Sequence, residues 1–73
     1  MNSTIIYNVG DTNEAGDTLI FDKWAEQPGK RLMAWRTIHR DVRFEIWDIK
    51  TNTAVTTVSL AAYRADDLAK ALQ

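Results

Sequence analysis

Aromatic and cationic side chains alternate along one stretch of this chain. Trp35, Arg36, His39, Arg40, Arg43 and Trp47 stand close together, with Arg31 and Phe44 beside them. Arginine offers a planar fork of donors, and tryptophan a large rigid surface with one polar edge. These two residue types dominate the energetics of protein interfaces. The pattern therefore points to docking on a protein partner through the segment 31–49. The same chemistry can pair with phosphate and stack on unpaired bases, so single-stranded nucleic acid is the alternative ligand. A third reading is a homodimer that buries an apolar sheet face of its own.

Charge is segregated around this stretch. Residues 1–29 carry Asp11, Glu14, Asp17, Asp22 and Glu26 against Lys23, a net of −4. Residues 30–43 carry Lys30, Arg31, Arg36, Arg40 and Arg43 against Asp41, a net of +4. The remainder brings the whole chain to −1. Nucleic-acid-binding domains usually hold a basic excess, which is missing here. An acidic first third folded against the basic segment would neutralise it internally, leaving a balanced, solvated surface.

Catalysis needs a nucleophile, an acid or base, or a metal, held in a pocket. The chain has no cysteine, so no disulfide forms, and His39 is its only histidine, too few for a zinc site. Asp66 and Asp67 are adjacent in sequence and point in different directions on a helix, so they make no acid–base pair. The acidic residues Asp11, Glu14 and Asp17 lack the spacing of a calcium loop, and no glycine-rich phosphate loop is present. The expectation is a non-enzymatic binding module with no cofactor and no metal.

With 73 residues, 45% hydrophobic and 26% charged, the chain has room for one core, a single small domain over 1–73. Domains this small are marginal alone, and without disulfides or a metal the common remedy is a partner. No apolar run approaches the length of a membrane span. The opening Met1-Asn2-Ser3-Thr4 has neither the basic nor the apolar region of a secretory signal. A cytoplasmic location is expected.

The elements that must position these residues follow from period and punctuation. Runs rich in β-branched and aromatic residues predict strands over 4–9, 17–24, 31–38, 42–50 and 54–59. Gly10-Asp11-Thr12-Asn13, Pro28-Gly29, His39-Arg40-Asp41 and Lys50-Thr51-Asn52-Thr53 separate them as turns. From Ala61 the apolar residues Ala61, Ala65, Leu68, Ala69 and Leu72 follow a helical period, predicting a helix over 61–72. Ser59 is the candidate cap, while Asp66, Asp67 and Lys70 suit the helix dipole. The fold class is α+β: an antiparallel β-meander of four to five strands with one C-terminal amphipathic helix packed on the sheet.

If Thr37 pairs with Glu45, Trp35 lies opposite Trp47. One face then carries Met33, Trp35, Trp47 and Ile49, and the other Ala34, Ile38, Phe44 and Ile46. Both faces are apolar and one helix covers only one. Either the sheet curls to bury both, or the second face is an interface. The run from Val58 to Leu72 resembles a strand-to-helix ending common in small bacterial and phage proteins, and a small accessory or inhibitory protein of that type is an example of the expected binding module. The meander-then-helix order is similar in outline to a single-stranded-DNA-binding coactivator fold, a likeness of architecture without a matching motif.

Overall fold

A computed structural model describes residues 7–73 of the chain. Four strands, β1 (Thr18–Trp24), β2 (Lys30–Arg36), β3 (Val42–Asp48) and β4 (Thr53–Leu60), form one antiparallel sheet in the order β1-β2-β3-β4. Helix α1 (Ala62–Ala71) follows β4. The meander-plus-helix class is as the sequence predicts, with four strands. Residues 4–6 of the expected first strand lie outside the described residues, and 7–9 are not strand. There Asn8 and Asp11 close a turn on each other, with the Asn8 backbone N–H donating to Asp11 Oδ2 at 2.8 Å. The segment then runs beside β1, where Gly10 N–H donates to the Leu19 carbonyl and Leu19 N–H to that of Asp11.

Each hairpin is set by its turn. Gly29 takes φ 74 in the β1–β2 turn, a left-handed conformation glycine adopts without steric cost. Asn52, at φ 56, does the same for β3–β4 and is among the non-glycine residues that tolerate it best. The β2–β3 turn instead places Arg40 at φ 72. Thr37 N–H donates to the Asp41 carbonyl at 2.8 Å, and Arg40 N–H to the Thr37 carbonyl at 2.9 Å. The loop is therefore Ile38-His39-Arg40.

That loop corrects the expected register. Met33, not Thr37, pairs with Glu45; Trp35 lies opposite Arg43, and Trp47 opposite Arg31. The displacement is by an even number of residues, so the alternation survives: Met33, Trp35, Glu45 and Trp47 still share one face. Ala34, Phe44 and Ile46 share the other. Ile38 and Ile49 fall in turns outside the strands.

Among the described residues the buried hydrophobic ones are Leu19, Ala34, Trp35 and Val42. Helix α1 lies over the Ala34 face and leaves an apolar cleft of about 380 Å³ between Leu32, Phe44 and Phe21 on the sheet and Ala65, Leu68 and Leu72 on the helix. No helix residue is buried. Ser59 is not the cap: it belongs to β4, and the capping position is Ala61, whose side chain makes no cap hydrogen bond. Nor do Asp66 and Asp67 fall in the first turn, which holds no acid, whereas Lys70 does sit in the last. Ala61 already has an extended backbone at φ −59, ψ 157. Ala61→Asp would supply both a side-chain acceptor and an N-terminal negative charge, and should stabilise the domain by about 1 kcal/mol in urea denaturation. An unchanged midpoint would mean that helix fraying is not part of the measured unfolding.

Candidate functional site

The face shared by Trp35 and Trp47 carries a polar network inside an aromatic setting. Trp35 Nε1 donates to Glu45 Oε1 at 2.8 Å, and Trp47 Nε1 donates to the same oxygen at 3.0 Å. Arg43 Nε donates to Glu45 Oε2 at 3.1 Å, and Arg43 Nη1 meets the buried Asp17 at 2.8 Å. Burial works to lower the Arg43 pKa, but its hydrogen bonds to Asp17 and Glu45 outweigh burial and leave it raised. Tyr7 packs edge-on against the Trp35 ring at 5.2 Å, so the segment before β1 roofs this end of the face. Gly16 lies in the same roof, where an added Cβ would stand 2.8 Å from Ile38 Cγ2.

The other end of the face is open. There the register places Trp24, Arg31, Trp47 and Ala54 in a single row across all four strands. Trp24 is 62% exposed, and the Arg31 guanidinium stacks 4.8 Å from its ring centroid. Arg31 Nε also donates to Asp22 Oδ1 at 2.8 Å, which fixes the guanidinium over the ring. Trp47 is held from its inner side by Glu45.

The six residues picked out in the sequence are thus dispersed. Trp35 is buried and Arg43 is tied to two carboxylates. Arg36 projects on the opposite face, beside the cleft under α1, and its Nη1 donates to the Arg40 carbonyl at 3.0 Å. His39 and Arg40 are exposed in the β2–β3 turn. Of the six, only Trp47 reaches the open row, and its companions there are Trp24 and Arg31. Pro28-Gly29 was the signal for them, since a hairpin closed by that turn brings Trp24 against Arg31.

Three of the five basic residues in 30–43 are in ion pairs: Lys30 with Asp48, Arg31 with Asp22, and Arg43 with Asp17 and Glu45. Asp17 and Asp22 come from the acidic first third. Among the described residues no group of three or more His, Cys, Asp or Glu could hold a metal ion, and no helix is long and apolar enough to cross a membrane. No protein-family model, curated protein or solved structure matches this chain.

Two predictions separate the tight pairs from the loose ones. Glu45→Ala strands the buried Trp35 donor and removes one of the two carboxylates that face Arg43, and should cost about 2–4 kcal/mol in urea denaturation. The milder Glu45→Gln should cost about 1–2 kcal/mol and keep the fold. A loss below about 0.5 kcal/mol for Glu45→Ala would mean that water replaces the carboxylate. The Asp48 carboxyl is held below its ordinary 3.8 chiefly by the hydrogen bond from Lys30. A depressed carboxyl stabilises the fold above its unfolded pKa and loses that contribution as pH falls through the folded value. An NMR titration should therefore place Asp48 below 3.8 and, in Lys30→Ala, move it back up. No movement would show that the pair is not formed in solution.

Proposed function

We propose that this chain is a non-enzymatic module that binds a protein partner through Trp24, Arg31 and Trp47. The observation that carries the reading is Trp24: a tryptophan 62% exposed, fixed under a guanidinium that is itself pinned by Asp22. A large apolar side chain held rigid at the surface loses little conformational entropy on binding, which is how interface anchors gain affinity. Ile49 and Val55, close in sequence to Trp47 and Ala54, are also exposed, and the row has the Arg31–Asp22 ion pair beside its tryptophans. A partner surface that presents an apolar projection beside a carboxylate or carbonyl acceptor would suit it. The nucleic-acid reading has less support, because most of the hairpin's cations already face carboxylates within the chain.

Capture from bacterial lysate with the tagged chain, with and without nuclease, tests this. A discrete protein should survive nuclease and be lost with Trp24→Ala, by about 30-fold in affinity for an anchor worth ~2 kcal/mol. His39→Ala, in the turn at the far end of β2, should retain it. Circular dichroism of Trp24→Ala should match the parent, since the side chain is exposed. Equal capture by Trp24→Ala would exclude the row as the site, and capture abolished by nuclease would turn the assignment to nucleic acid.

A further inference from the structure

The two edges of the sheet are treated differently. The outer edge of β1 is protected in three ways: Leu19 exchanges backbone bonds with Gly10 and Asp11 of the preceding segment, a bulge at Ile20 interrupts the strand, and Asp22 and Lys23 add charge. These are the usual devices against edge-to-edge pairing. The outer edge of β4 has almost none of them. Its sequence, Thr53-Ala54-Val55-Thr56-Thr57-Val58-Ser59-Leu60, contains no charged residue and no proline, and every residue but Leu60 is exposed. Among the described residues nothing pairs with that edge. A bulge at Val55 marks its one irregularity and leaves residues 56–60 in regular pairing with β3.

We infer that this edge joins two copies of the chain, β4 pairing antiparallel with β4 of the second copy about a two-fold axis normal to the sheet. Such an axis keeps the two sheet faces continuous and requires that paired residues lie on the same face. Centring it on Val58 uses the whole regular stretch: Val58 meets the second copy's Val58, Thr57 meets its Ser59, and Thr56 meets its Leu60. Val58 is 53% exposed, so this apolar contact is available. A second copy fits better than a foreign strand for two reasons. An uncharged edge offers nothing that selects a foreign sequence, whereas self-pairing satisfies the same donors and acceptors on both chains at once. The protected β1 edge stops growth at two, giving a dimer and not a filament. A chain of 73 residues without cysteine has reason to associate, since domains of this size commonly gain stability from a partner.

Sedimentation velocity over a wide concentration range reads the result. The mass should rise from 8.3 kDa towards twice that value. The midpoint should be on the order of 10–100 μM, as suits an interface smaller than about 1,200 Å². Val58→Lys and Val58→Glu each place like charges opposite one another and should stay monomeric, while an equimolar mixture of the two should associate. Hydrogen exchange of Thr57 and Ser59, whose amides point away from β3 in the alternating ladder, should slow with concentration in the parent chain, a reading that needs no variant to fold. A parent chain monomeric throughout, or a Val58→Lys variant that associates like the parent, would overturn the inference. So would slow exchange of Thr57 and Ser59 in the monomer, since another part of the same chain would then hold that edge.

Discussion

The carboxylate of Glu45 joins β2, β3 and, through Arg43, the segment before β1 by side-chain bonds. An unpartnered carboxylate would be costly in this position, beside the buried Trp35. Here it accepts from an indole on β2, from an indole on β3 and from the Arg43 guanidinium, and Arg43 passes the link on to Asp17 before β1. Charge-assisted bonds of this kind are shorter and stronger than neutral ones, and they fix rotamers as well as strands. Every described buried side-chain nitrogen or oxygen has a partner. A network satisfied to that degree favours one arrangement of the sheet, because any slip of β2 against β3 would leave several donors without acceptors.

That requirement bears on the open row at the other end of the face. Glu45 sets Trp47 from inside, and Asp22 sets Arg31, which in turn covers Trp24. The exposed aromatic surface is therefore held by carboxylates and not by hydrophobic packing alone. The opposite face works differently. Its contacts with α1 are apolar and incomplete, with an open cleft between sheet and helix and a helix start that lacks a side-chain cap. Local opening should follow this division, with α1 at the low end of stability and the β2–β3 pair at the high end.

What could be read in the sequence follows the same physical lines. The helix was visible because five apolar residues keep its period, and its bounds fall within one residue of expectation. Its cap was not, because Ser59 continues β4 and the position that needs an acceptor holds Ala61. Strand faces were legible from alternation, whereas register depends on the turn. The β2–β3 turn places an arginine at positive φ where glycine would have marked the spot, so the loop centre could not be found from composition. The basic hairpin looked like one surface for a related reason. Alternation sends Arg36 to one face and Arg43 to the other, and pairing with distant carboxylates turns Arg43 and Arg31 from free charges into structural ones. Segregation of charge along a chain marks where ion pairs are available, and the fold decides which remain free.

The geometry of the row and that of the β4 edge are connected. Ala54 ends the row at β4, and a two-fold axis normal to the sheet keeps each face continuous across the junction. In the proposed dimer both tryptophan rows therefore lie on the same side of one eight-stranded sheet, running in opposite senses from the axis. Two sites on one rigid face bind a partner that presents two matching projections with an avidity well above that of either site, and gain little on a partner with one. A weak dimer would then respond to its partner as well as to its own concentration, because a two-pronged partner stabilises the paired state by binding it selectively. Edge pairing that is marginal alone would in this way be strengthened by the docking it arranges.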